Sequence, residues 1–216
     1  MDNITIITYT NSKYCSIWEI CFSQMKELFG ENIKNIVLSD KFPINIDKNK
    51  ICITYDDDNE ILSEHIMKAL ENVNTEFILW LQEDFIGYDY FDKEKFIECI
   101  NLLKDTSYDF CVIRNENTKK RWPENKIQKT PWGYTSLKSE DIIVNKNFLE
   151  INNDNPMLYT HQPNIWKTTS FKKVHKYMIS IKDNYKDNIV LNNKNKRKSL
   201  LINKEGFINN QCKKNN

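Results

Sequence analysis

The adjacent carboxylates Glu83 and Asp84 close an apolar run, Phe77 to Leu81, with a single Gln82 between. Hard divalent ions such as Mn²⁺ and Mg²⁺ take carboxylate oxygens and keep other positions for water or phosphate. A pair of this kind can therefore hold a cation that a diphosphate ligand shares. Successive strand side chains point to opposite faces, so one of the two would bind and the other support. A second acidic group, Asp56, Asp57 and Asp58, ends the run from Lys50 to Tyr55, and Asp58 reads as a solvated turn residue. His161 is suited to proton shuttling near neutrality, though a lone imidazole beside extended chain is more often hydrogen-bonded structure. His65 and His175 sit at the edges of apolar helical stripes and read as structural. From Arg114 to Lys138 the pattern is irregular, and Arg121, Trp122, Lys126, Lys129, Trp132 and Tyr134 mix cations with aromatic rings. That mixture suits stacking on sugars and contacts to phosphate, and the stretch reads as a long loop serving as a lid over donor or acceptor.

These groups must be positioned by the elements between them. A strand apolar at every position is buried on both faces, which places Phe77 to Gln82 at the centre of a mostly parallel sheet and its carboxylates at the ligand-binding carboxyl edge. The β-branched run Ile4 to Tyr9 predicts a first strand, and Trp18, Cys21, Phe22, Met25, Leu28 and Phe29 recur at helical spacing until Gly30. Strands over Asn35 to Ser39 and Lys50 to Tyr55 follow, then a helix carrying Leu62, Ile66, Ala69, Leu70 and Val73. After the central strand, Asp92 caps a helix with Phe96, Cys99, Ile100 and Leu103 on one face, and Tyr108 to Ile113 returns as a strand. Asp141 to Asn145 reads as a strand, Pro156 to Pro163 as extended chain, and Phe171, Val174 and Met178 mark a last helix. Alternation of this kind predicts an α/β fold, a three-layer α/β/α sandwich.

With 216 residues the chain suits one domain over residues 1–190 and a C-terminal extension, 191–216, that ends in a frayed polar tail. The 31 basic and 30 acidic residues nearly cancel, so no global field recruits nucleic acid or an anionic membrane. The six cysteines have no Cys-x-x-Cys spacing and read as reduced thiols, not as a zinc site or a disulfide frame. No segment approaches the length of a membrane span and no basic leader precedes the first strand, so a soluble cytoplasmic protein is expected. A Walker loop, a Gly-x-Ser-x-Gly elbow and a His-Glu-x-x-His helix are all missing, which sets aside several hydrolase and NTPase chemistries.

Three segments together carry a resemblance: Leu81 to Phe85 at the strand end, Thr8-Tyr9-Thr10 closing the first strand, and Gln162-Pro163-Asn164-Ile165-Trp166-Lys167 downstream. In this combination the chain resembles small GT-A-type glycosyltransferases, the compact enzymes encoded by large DNA viruses and by bacterial surface-polysaccharide clusters. The likeness covers roughly residues 3 to 180. It implies a GT-A-like (Rossmann-like) fold and a hexosyltransferase that moves sugar from a nucleotide-diphosphate donor, UDP-linked, to a glycan or glycoprotein acceptor with inversion. It implies further that Asp84, with Glu83, holds Mn²⁺ or Mg²⁺ on the diphosphate where the family has an Asp-x-Asp motif; Gln82 departs from that motif. Thr8, Tyr9 and Thr10 would line the base and ribose, with Asp56 and Asp57 accepting hydrogen bonds from them. Gln162 would bind sugar hydroxyls and Trp166 offer its face to the pyranose. The Pro-Trp-Glu-like turn that often carries the base is missing, which leaves Asp187, then Asp183, and His161 as candidates to deprotonate the acceptor. Two other readings use the same residues: a domain that binds nucleotide or glycan without turnover, and a nucleotidyltransferase.

Overall fold

The computed structural model describes residues 3–42, 50–56, 59–84, 92–113, 128–130, 133–135, 142–143, 149–150 and 163–181. The chain divides into two compact units, residues 1–113 with 161–192, and residues 114–160 with 193–216. The boundary expected at residue 190 lies outside the described residues.

The first unit is built on a mixed six-stranded sheet. Its first three strands are β1 (Ile4–Tyr9), β2 (Asn35–Ser39) and β3 (Ile51–Thr54). Between β1 and β2 a short 3-10 turn (Ser12–Tyr14) leads into α1 (Cys15–Phe29), and β3 is followed by α2 (Leu62–Leu70) and the central strand β4 (Phe77–Gln82). Then come α3 (Lys93–Asp105) and β5 (Phe110–Val112). The chain returns for a last strand, Asn164–Lys167, and the helix Thr168–Ser180. In chain order that strand is β10, because four short strands of the second unit precede it, and the helix is α4. Strands lie in the order β3-β2-β1-β4-β10-β5. The pairings β3–β2, β2–β1 and β1–β4 are parallel, whereas β10 runs antiparallel to both β4 and β5. The last strand is thus wedged beside the centre of the sheet, and the expected mostly parallel sheet is a mixed one.

Because strand side chains alternate, register fixes what each face carries. Ile7 pairs with Trp80 and Tyr9 with Gln82, while Thr8 pairs with Leu81. Tyr9, Trp80 and Trp166 point to the face covered by α2 and α4, where Tyr9 lies 5.8 Å from Trp80, Trp80 5.8 Å from Phe171, and Trp166 4.4 Å from Phe110. Thr8 and Thr10 point to the other face, against α1. Phe29 of α1 meets Phe96 of α3 at 5.3 Å, so those two helices share that face. The core is the resulting double layer, with Ile6, Ile7, Ile36, Leu38, Ile78 and Trp80 all fully buried in the sheet. Each helix gives it a stripe at i, i+3, i+4 or i+7 spacing, such as Trp18, Cys21 and Met25 on α1 and Phe96, Cys99 and Leu103 on α3. Asp92 caps α3 as expected, its carboxylate accepting from the Lys95 amide at 3.0 Å. Gly30 ends α1 at φ +91°, a conformation that only glycine adopts without strain.

In the second unit, β6 (Gln128–Thr130) and β7 (Gly133–Thr135) form an antiparallel hairpin. This falls inside the stretch expected to be a long loop. Each strand is three residues long, too short for alternation to mark it in sequence. The strand expected over Asp141 to Asn145 is β8 (Ile142–Ile143), paired antiparallel with β9 (Leu149–Glu150). Among the described residues no helix is long and apolar enough to cross a membrane.

Candidate functional site

Reading the sheet from β3 through β2 and β1 to β4, the chain builds outward from β1 in one direction and then returns to place β4 on β1's other side. The carboxyl ends of β1 and β4 therefore flank the point where strand order reverses, the position at which open α/β sheets bind ligands. Thr10 follows β1 there, and Glu83 and Asp84 follow β4.

Thr10 is the centre of this edge. The Trp18 indole N–H donates to its Oγ1 at 2.7 Å and the Tyr55 hydroxyl to its carbonyl at 2.7 Å, while its own amide donates to the Leu38 carbonyl at 2.9 Å. Its hydroxyl in turn donates to the Glu83 carboxylate. A chain from Trp18 through Thr10 to Glu83 thus ties α1, β1 and β4 together, and Tyr55 adds β3. Glu83 is 5 % exposed and Asp84 is exposed, so the two neighbours divide as strand alternation requires. Burial raises the Glu83 pKa above the ordinary carboxylate value, and the nearby charge of Asp84 adds to it; the hydrogen bonds from its own amide and from Thr10 pull the other way. The same carboxylates act on Cys21 below them, whose thiol is pushed up to about 12, first by burial and then by Glu83 and Asp84.

Asp40, one residue past β2, is a member of this edge that the sequence reading does not single out. It accepts from the Ser12 amide at 2.6 Å, the Ser12 hydroxyl at 2.9 Å and the Ser39 hydroxyl at 3.2 Å. Burial alone raises its pKa, but these bonds and one from the Lys41 amide outweigh it, and the carboxyl is held below its ordinary value. Asp40 so fixes the turn after β1. The signal that could have found it is the one used for Asp56: an acidic residue directly after a strand at the same edge. Asn11 completes the turn, its side chain accepting from the Lys13 amide at 3.1 Å.

Asp56 lies past the end of β3 and is exposed, with one carboxylate oxygen accepting from the Asn59 side chain at 2.6 Å. Its amide donates to Glu60, and Glu60 also takes Lys68 at 2.8 Å and lies 3.6 Å from the His65 ring. Tyr9 is half-buried, stacked on Tyr55 at 5.2 Å, with Tyr55 stacked on His65 at 4.3 Å. His65 and His175 are both fully buried, and His175 meets the Ser63 hydroxyl at 2.9 Å.

Of the residues singled out in the sequence, Tyr9, Thr10, Asp56, Glu83 and Asp84 gather at this one edge. Thr8 does not present its hydroxyl there: it is fully buried and donates to Asn35 at 3.2 Å, facing α1. Trp166 belongs to a strand and is 4 % exposed between Phe110 and Phe171, so its ring faces are taken by other rings in place of a sugar. Asp57, His161, Gln162, Asp183 and Asp187 lie outside the described residues. Among the described residues no group of three or more His, Cys, Asp or Glu side chains converges as a self-sufficient metal cage. Among the described residues of the edge, Asp56 is tied to Asn59, and the outward carboxylate left at the reversal point is Asp84, backed by the buried Glu83. A Mg²⁺- or Mn²⁺-type ion can be held by so few protein ligands when a diphosphate and water fill the rest.

No protein-family model and no curated protein matches the chain significantly.

Proposed function

We propose that the chain is a GT-A-like glycosyltransferase that transfers a hexose from a UDP-linked or similar nucleotide sugar to a glycan acceptor. The observation that supports this reading is the exposed Asp84 at the β1–β4 reversal point, next to Glu83, which Thr10 braces, with Asp56 exposed at the same edge. Asp84 would hold a Mn²⁺ or Mg²⁺ ion, which when bound neutralises charge on the leaving diphosphate. Glu83 acts behind it: through Thr10 it fixes the end of β1, and its buried charge strengthens the local negative potential that draws a cation. Asp56 offers an acceptor for base or ribose, and the buried Thr10 braces the edge beneath it. Transfer then needs a base for the acceptor hydroxyl, and His161, Asp183 and Asp187 remain the candidates.

A thermal-shift panel of nucleoside diphosphates with and without Mn²⁺, followed by sugar-release assays on the matching nucleotide sugars, tests this reading. The expected result is stabilisation by one nucleoside diphosphate that grows with Mn²⁺, and release of its sugar. No shift with any nucleotide would sink the proposal. Binding without turnover would favour the non-catalytic domain, a reading supported by the single outward carboxylate at β4.

A further inference from the structure

The second pair of reactive groups in the molecule lies far along the sheet from the carboxyl edge of β1 and β4. Phe110 stacks on Trp166 at 4.4 Å, on the face covered by α4. The next residue, Cys111, must then point to the opposite face, where α3 packs on β5 and β10. The buried stripe of α3 that meets this face is Phe96, Cys99 and Leu103. Of that stripe Cys99 is the residue that meets Cys111, its thiol donating a hydrogen bond to the Cys111 sulfur.

We propose that Cys99 and Cys111 are a two-thiol oxidation site that closes to an intramolecular disulfide on reaction with a hydroperoxide. The two sulfurs differ in access. Cys99 is buried on the inner side of α3, whereas Cys111 is half-buried on β5, the edge strand of the sheet among the described residues. They differ also in proton affinity. The hydrogen bond holds the proton on Cys99 and stabilises the thiolate of Cys111, whose pKa is lowered although burial opposes this. Cys111 is therefore the attacking sulfur and Cys99 the resolving one. The Cys111 thiolate attacks the terminal peroxide oxygen, the O–O bond breaks, and the leaving alkoxide or hydroxide takes a proton, giving a sulfenic acid. The Cys99 thiol then displaces that hydroxyl as water, and the S–S bond forms; two thiols are oxidised by two electrons and one peroxide is reduced. Cys21 and Cys52 are poorer competitors, since burial raises both of their pKa values.

The product would staple β5 to α3, and β5 is a strand whose pairing partner among the described residues is β10. The test is hydrogen peroxide treatment of the full folded chain, alkylation of remaining thiols, digestion and mass mapping. A peptide pair joined through Cys99 and Cys111, lighter by two hydrogen masses and restored by dithiothreitol, is expected. In Cys99→Ser the Cys111 sulfenic acid should persist and be trapped by dimedone; in Cys111→Ser, Cys99 should stay reduced. Recovery of both thiols alkylated from peroxide-treated wild type, or of Cys111 over-oxidised with Cys99 still a thiol, would overturn the proposal. Mapping of the wild type decides between these outcomes even where a serine variant folds poorly.

Discussion

The two ends of the central sheet use the same residue types in opposite ways. At the amino edge the polar groups are spent on each other. Asn3 donates to Glu76 at 2.7 Å and accepts from its amide at 3.1 Å, the Thr75 hydroxyl meets that of Thr5 at 2.8 Å and the Phe77 carbonyl at 2.9 Å, and Thr168 donates to the Thr75 carbonyl at 2.8 Å. A cavity of about 340 Å³ lies there, lined by Thr75, Glu76 and Thr168 of this network and also by Lys167 and Lys172. At the carboxyl edge a similar network is drawn inward, through Trp18, Thr10 and Glu83 and through Ser12 and Asp40, and Asp84 is left facing outward. A polar cluster whose members satisfy one another is architecture. One that braces a carboxylate without consuming it is a place for a ligand, and the cavity therefore marks the less chemical end.

The contrast can be broken in several ways. Trp166→Ala should have the largest effect, about 3–5 kcal/mol of stability, because it empties the aromatic layer beneath both edges. Chemical denaturation measures it, and a loss under about 1 kcal/mol would return that ring to the surface and to a ligand-binding role. Asp84→Asn should do the reverse. Stability should stay within about 0.5 kcal/mol of wild type, while the Mn²⁺-dependent part of nucleotide stabilisation disappears; at about a hundredfold excess over Kd, complete binding is worth about 2.7 kcal/mol. A mutant that still responds to metal would remove Asp84 from the site. Thr75→Val at the amino edge should cost about 1–2 kcal/mol by unpairing its partners, with nucleotide binding unchanged.

Glu83→Gln is the smallest effect and the most discriminating in sign. A carboxyl whose folded pKa is raised stabilises the fold below its unfolded value, about 4.3, and loses that contribution as pH rises through the folded pKa. Above that folded pKa the wild type carries a buried charge that glutamine lacks, while the amide oxygen still accepts from Thr10. The variant should melt slightly higher than wild type at pH 7, with the gap closing as pH falls toward about 4. A lower melting point at pH 7 would mean that the charge itself holds the edge together.

Much of this edge is legible in sequence because local rules decide it. The unbroken apolar run marks β4 as doubly buried, and period two separates Glu83 from Asp84 without saying which one turns inward. That choice depends on α1, whose Trp18 and Cys21 stripe covers one face only. Thr8 and Thr10 share that face and both are buried, Thr8 one pleat deeper, where its hydroxyl meets Met25 and Asn35, and Thr10 at the strand end, where it meets Trp18 and Glu83. Asn164–Lys167 carries no strand signal of its own. Four residues with polar ends give too little alternation, and their partners at Phe77 to Trp80 stand more than eighty residues earlier in the chain. Pairing at that separation leaves no local trace, and it hides the inward fate of Trp166 as well.

The wedged position of β10 has a consequence for how the protein is made. A ribosome finishes β1 to β5 well before it reaches Asn164, so the nascent chain holds β4 with one apolar edge, and β5, both without the strand that joins them among the described residues. Such an edge can pair with another chain. The sheet is completed only when the late strand inserts between two early ones, a long-range closure expected to be slow. Translation stalled before Asn164 would thus release an aggregation-prone product, whereas a stop shortly after α4 would retain every described strand of the sheet.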